Sequence, residues 1–143
     1  MCYRRLAGWI GASLAFFVFV QGVAADTGKV SQDMLLHRTI TTPDGTPLEK
    51  DPVWGIWLLP EGATELYVRL EVESVNVFNP TALSVEETIA TGTSYLGLVA
   101  GVNDPDGAPA VNATGMLEVS WSTVPTSFPI AFTYRIDVTG FNS

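Results

Sequence analysis

The densest group of oxygen-bearing side chains in this sequence lies in the segment "NDPDG". Asn103, Asp104 and Asp106 fall within five residues that end at Gly107. Calcium takes six to eight oxygen ligands, and compact acidic loops supply them. The spacing differs from that of an EF-hand, and no glutamate closes the loop. Because Asp-Pro and Asp-Gly are also strong turn signals, the segment predicts either a plain turn or a calcium-binding loop.

Two tryptophans in "VWGIWLL", Trp54 and Trp57, are candidates for a binding surface. They lie three residues apart, so a strand would place them on opposite faces. An exposed tryptophan can stack on a sugar ring or anchor a protein interface. However, the run is apolar at both parities, which is typical of a strand covered on both faces. Both interpretations stay open: a buried pair, or at least one exposed contact residue.

Residues suited to enzymatic chemistry are few. The single histidine, His37, lies in the strand-like "LLHRTI", and there is no "GxSxG" motif or glycine-rich phosphate loop. Glu71 and Glu73 share one face of a strand, where exposure to solvent explains them. The sequence therefore predicts no catalytic residues and no cofactor other than calcium. A hydrolase based on a pair of carboxylates remains a minor alternative.

The elements that position these residues are strands. In "TELYVRLEVESVNVF", apolar residues occupy even positions through Val72 and then resume at odd positions from Val75. Since side chains alternate with a period of two, this change of parity predicts a bulge near Glu73-Ser74. The segment "ALSVEETIATG" has no clear period and predicts an edge strand or a helical turn. The final strand, "IAFTYRIDV", alternates most regularly and is expected to be central.

Six or seven such strands, separated by short turns, indicate an all-β fold. We predict an antiparallel β-sandwich of jelly-roll or immunoglobulin-like type, in preference to a small barrel. No internal repeat or linker divides the chain, so residues 26–143 are expected to form one domain.

Residues 1–25 have the order of a signal peptide. Arg4 and Arg5 precede an apolar run, and the small residues Val23 and Ala25 end it. We predict a signal-peptide helix that is cleaved between Ala25 and Asp26. An uncleaved anchor is the alternative, because about 20 apolar residues can span a bilayer.

Cleavage would make the chain more acidic. The full chain has seven basic and fifteen acidic residues. Losing Arg4 and Arg5 leaves five basic against fifteen acidic residues, a formal charge of −10. Such a surface repels phosphate backbones and anionic headgroups, so nucleic acid is excluded as a partner and membrane contact is expected only during export. The one cysteine, Cys2, belongs to the leader, so no disulfide is expected in the domain.

The segment "WGIWLLPEGATELYVRLEV" resembles the early strands of bacterial pre-peptidase C-terminal domains, and "FTYRIDVTG" is similar to their closing strand through Tyr134, Ile136 and Val138. The similarity covers residues 52–141. In the middle of the chain, "TSYLGLV" is the nearest match to the family's "DLYL"-type strand and lacks its aspartate. The resemblance implies a secreted, non-catalytic β-sandwich module of the kind that usually accompanies a hydrolase.

These observations predict a secreted, periplasmic or cell-surface module that binds a protein or a glycan. The alternative is a structural subunit that self-assembles, with "DTGKVSQDML" donated as a strand to a neighbouring sheet.

Overall fold

The alternating apolar segments form strands. A computed structural model of the protein describes residues 3–5, 17–21, 34–74 and 82–141. Within them lie nine strands and one short 3-10 helix, Thr139–Phe141. The strands are β1 (Tyr3–Arg5), β2 (Phe17–Gln21), β3 (Met34–Thr41), β4 (Leu58–Pro60), β5 (Glu65–Ser74), β6 (Ala82–Thr88), β7 (Ser94–Val99), β8 (Met116–Trp121) and β9 (Ile130–Asp137).

The strands form three antiparallel sheets. One has four strands in the order β3-β5-β9-β7, the second has three in the order β2-β6-β8, and the third pairs β1 with β4. Every pairing is antiparallel. The predicted all-β class is therefore confirmed. Strand β9 lies inside the four-stranded sheet, between β5 and β7, as its regular alternation indicated.

One hydrophobic cluster contains buried residues of both larger sheets. Strands β5 and β9 bury alternate residues, and β6 and β8 contribute from the other sheet. The rings of Trp121 in β8 and Phe132 in β9 meet edge to face at 5.3 Å. Because burial of each large aliphatic side chain contributes about 1.5–3 kcal/mol, this cluster is the main source of stability. Its strand members include Leu66, Val68, Leu70, Val72, Leu83, Val85, Leu117, Val119, Trp121, Ile130, Phe132, Tyr134 and Ile136.

Two local predictions were wrong. The β3–β5 register runs without a shift to Met34↔Ser74, so no bulge occurs at Glu73-Ser74. The described part of β5 reaches Ser74, and the odd-position residues from Val75 lie outside the described residues. The register shift lies instead between Tyr95 and Gly97 of β7, where Gly97 has a φ of 125°.

The segment "ALSVEET" is strand β6, one of the two predicted alternatives, but it lies between β2 and β8 instead of at an edge. Its period was hidden because the buried, inward set continues from Leu83 and Val85 to the charged Glu87.

The described part of the predicted leader also differs from the expected helix. Residues Tyr3–Arg5 and Phe17–Gln21 form strands that pair with β4 and β6. Phenylalanine and valine favour strands, and both partner strands offer open ladder positions. The cleavage position, Ala25, lies outside the described residues, and cleavage stays a prediction. In the part of the chain that the structure describes, no helix is long and apolar enough to cross a membrane.

Candidate functional site

A tight turn presents Val53 and Trp54 at the end of a two-stranded ribbon, in which residues 49–51 pair with residues 56–58. The Asp51 carboxylate accepts hydrogen bonds from the backbone N–H groups of Val53 (2.8 Å) and Trp54 (3.0 Å). The Gly55 N–H donates to the Asp51 carbonyl, and the Asp51 N–H donates to the Ile56 carbonyl, both at 2.8 Å. Gly55 has a φ of 65°, which glycine adopts without steric cost. Together these bonds fix the backbone of the turn.

The two residues at the tip are exposed, with 78% of Val53 and 65% of Trp54 accessible to solvent. The prediction of one strand from Val53 to Leu59, covered on both faces, was therefore wrong. Strand β4 begins only at Leu58. The reason is local, because the hydrogen bonds of Asp51 and the left-handed conformation of Gly55 turn the chain before the strand starts.

Trp57 has a different environment from Trp54. It is half-buried against the hydrophobic cluster, and the Lys50 Nζ lies 4.4 Å from the centroid of its ring. Lys50 and Trp57 are also bridged across the ribbon. A cation over an indole contributes about 0.5–1 kcal/mol at an exposed site. Trp57 thus anchors the ribbon to the core, and Trp54 alone of this pair is free for contact.

The turn can supply contact but little acid–base chemistry. Trp54 offers a flat apolar face on a fixed backbone, and Val53 extends that surface. The nearest carboxylate, that of Asp51, is already engaged with the backbone of the turn. A rigid, exposed tryptophan loses little conformational entropy on binding, which is why such residues dominate interfaces.

The "NDPDG" residues each bind a different part of the protein. The Asp104 carboxylate accepts from the Gly101 N–H at 2.8 Å, and the Asp106 carboxylate accepts from the Ser122 N–H at 3.0 Å and from its hydroxyl. The Asn103 carbonyl accepts from the Trp121 indole N–H at 2.9 Å. The Ser122 hydroxyl bond lowers the pKa of Asp106. These contacts fasten the loop to the end of β8, as expected for a structural turn.

One carboxylate oxygen in this loop lacks a hydrogen-bond partner among the described residues. The Asp104 Oδ1 is buried, and among the described residues it has no hydrogen-bond partner. A buried carboxylate oxygen normally has one. Within the described ranges, no three histidine, cysteine or acidic side chains are grouped so that they could hold a metal ion. Calcium binding by Asn103, Asp104 and Asp106 remains a prediction.

Thermal unfolding in calcium tests that prediction. A ligand that binds the folded state raises its stability, by about 2.7 kcal/mol at a hundredfold excess over Kd. A calcium site at this loop should therefore raise the Tm at millimolar calcium, and Asp104→Asn should abolish the rise. Asp44→Asn, which alters another Asp-Gly turn, should preserve it. An unchanged Tm in the wild-type protein would exclude calcium binding at this loop and leave the interpretation as a structural turn.

His37 lies on the exposed side of β3. Its Nε2 is 3.2 Å from the Glu73 Oε2, and more than half of each side chain is exposed. Glu71 is its register partner on β5. The pair therefore occupies an open sheet surface, where a contact of this kind contributes little to stability.

A buried polar cluster of Arg38, Glu87 and Tyr134 was not predicted from the sequence. The guanidinium of Arg38 in β3 contacts the carboxylate of Glu87 in β6, and these side chains are only 7% and 2% exposed. The Tyr134 hydroxyl donates a hydrogen bond to the same carboxylate. Burial raises the pKa of Glu87, against the opposing effects of Arg38 and Tyr134, and it also raises the pKa of Tyr134. The signal in the sequence was two opposite charges at inward positions of two strands.

A cavity of about 10 Å³ adjoins this cluster, lined by Glu87, Tyr95, Phe132, Tyr134 and aliphatic side chains. It has room for about one water molecule. A substrate does not fit there, so we interpret the cluster as structural.

In comparisons with known proteins, no family model, no curated protein and no solved structure matches the chain.

Proposed function

We propose that this chain is an exported, non-catalytic binding module that contacts a protein or a glycan through the turn at Val53 and Trp54. The single observation that carries the proposal is the exposure of Trp54 on a backbone fixed by Asp51. Burial of such a ring at an interface can contribute 2 kcal/mol or more, roughly a thirtyfold change in affinity.

The proposed scaffold is a β-sandwich. Its support is the single hydrophobic cluster to which both larger sheets contribute, together with the Trp121–Phe132 ring contact between them. The ion pair of Arg38 and Glu87 also joins the two sheets. Loops at the ends of such a scaffold are the usual places for contact residues.

The proposed location is the periplasm, the cell surface or the medium, after cleavage between Ala25 and Asp26. The support comes from the order of charge, apolar run and small residues in positions 1–25. The resemblance to pre-peptidase C-terminal domains points to the same setting, because those modules are exported and accompany other proteins.

Replacing Trp54 with alanine should weaken binding without unfolding the protein. We expect a loss of about thirtyfold or more in affinity. Binding can be measured on an array of oligosaccharides for the glycan class. For the protein class, a photoreactive amino acid at position 54 should cross-link the partner in the producing cell.

The matched control is Met116→Ala, because Met116 is exposed to the same 65% and lies on β8. Met116→Ala should retain binding, and both variants should keep the wild-type Tm. Equal binding by the Trp54→Ala and Met116→Ala variants would refute the proposed surface.

The competing candidate is a subunit that assembles through a donated strand. The observation that favours it is that β3, which follows residues 26–33 directly, is an edge strand of the four-stranded sheet. Size-exclusion chromatography of the exported protein, with and without residues 26–33, separates the two candidates. A monomer in both cases removes the assembly candidate.

A further inference from the structure

Strand β6 is covered on one side by a strand from the predicted leader. Residues Phe17–Gln21 pair antiparallel with β6, from Phe17↔Glu86 to Gln21↔Ala82. In this register Val18 and Val20 stand opposite Val85 and Leu83, two buried members of the core. The paired edge of β6 is therefore five residues long. At two alternate positions, an aliphatic residue of the leader strand stands opposite an aliphatic residue of β6.

Cleavage after Ala25 would remove this strand. The three-stranded sheet would be reduced to β6 and β8, opposite a sheet of four strands. One row of N–H and C=O groups on β6 would then lose its ladder partner. An unpaired edge of this kind is a template for another strand.

We propose that β6 of the processed protein accepts an antiparallel strand from a partner protein, with aliphatic side chains at two alternate positions that replace Val18 and Val20. The backbone ladder would supply affinity, and the two aliphatic positions would supply specificity. This inference rests on the export part of the proposed function and is independent of Trp54.

The chain's own segments are poorer occupants. Residues 26–33, "DTGKVSQD", contain one aliphatic residue, Val30, and cannot fill both alternate positions. Pairing of β6 with a second copy of β6 would bring together two molecules that each carry a formal charge of −10 after processing. A high net charge of one sign keeps molecules apart. A partner strand rich in valine, isoleucine or leucine avoids both problems.

The test uses the protein as exported by a secreting host. Mass spectrometry first establishes the N-terminus, and a synthetic peptide of residues 15–22 with lysines at both ends then serves as the probe. The processed protein should bind this peptide, and the chain that retains its leader should bind it at least tenfold more weakly. A peptide with Val18→Ser and Val20→Ser should lose about thirtyfold in affinity, because it removes both core-matching side chains. The matched control, Phe17→Ser with Phe19→Ser, should lose much less.

Several outcomes would overturn the proposal. They are a retained leader after export, a folded processed protein that ignores the peptide, or equal losses for the two peptide variants. Self-association that disappears when residues 26–33 are deleted would assign the edge to the chain's own segment instead. If the processed protein does not fold alone, the wild-type peptide must restore a cooperative unfolding transition, and failure to do so also refutes the proposal. Trp54→Ala should leave peptide binding unchanged, so the failure of one proposal is distinguishable from the failure of the other.

Discussion

Replacing Glu87 with glutamine should lower the free energy of unfolding by about 3–5 kcal/mol, the usual cost of breaking a buried ion pair on one side. The substitution keeps the volume of the side chain but removes the negative charge that faces Arg38. Both side chains are almost fully enclosed between β3 and β6. The guanidinium would then remain in a low-dielectric environment without its counter-charge. Urea unfolding followed by circular dichroism measures the loss.

The matched control is Glu71→Gln. Glu71 is paired with Arg69 at 3.1 Å, but 35% of the Glu71 side chain and 53% of the Arg69 side chain are exposed. Exposed pairs contribute at most about 1 kcal/mol, so this variant should be close to wild type. Equal losses for the two glutamine variants would show that breaking the buried Arg38–Glu87 pair costs no more unfolding free energy than breaking an exposed pair.

An apolar replacement of the whole cluster should behave differently from the single substitution. Changing Arg38→Met, Glu87→Leu and Tyr134→Phe together leaves no buried charge, and such replacements are often neutral or stabilising by about 1–4 kcal/mol. If the triple variant is stable while Glu87→Gln is not, the cluster specifies how β3 and β6 align rather than adding net stability.

The fold class was predictable because most strands bury one face. Alternation in β5 and β9 follows directly from a period of two, and those strands lie side by side in the four-stranded sheet. For the same physical reason, the sequence left strand β6 undecided between an edge strand and a helical turn. Its buried set includes Glu87, and a charge at an inward position looks like a break in the pattern until its partner on another strand is known.

The candidate contact residue was predictable only in part. The sequence identified Trp54 and Trp57 as a pair, but their exposure depends on whether the chain turns before them or continues as a strand. The turn is decided by the hydrogen bonds of Asp51 and the positive φ of Gly55. In "NDPDG", the turn residues were correctly located, but their partners Gly101 and Ser122 could not be known without the fold.

Replacing Phe132 with alanine should cost about 3–5 kcal/mol of unfolding free energy, the range for removing a buried aromatic ring. Phe132 is buried in β9, and its ring contacts Trp121 of the other sheet at a centroid distance of 5.3 Å. It also stacks on Tyr134 at 6.5 Å. Loss of the ring removes apolar burial and two aromatic contacts, and the rigid strands on both sides cannot collapse fully into the gap. Thermal and urea unfolding measure the cost.

The same substitution at Phe141 provides the control. Phe141 lies in the terminal 3-10 helix and is only partly buried against the cluster, so alanine there should cost about 1–2 kcal/mol because less ring surface leaves water on folding. A β-sandwich in which Phe132 joins the two sheets requires the larger loss at position 132. If Phe132→Ala were as mild as Phe141→Ala, the two sheets would not depend on this contact, and the packed-sheet scaffold proposed for the Trp54 turn would have to be abandoned.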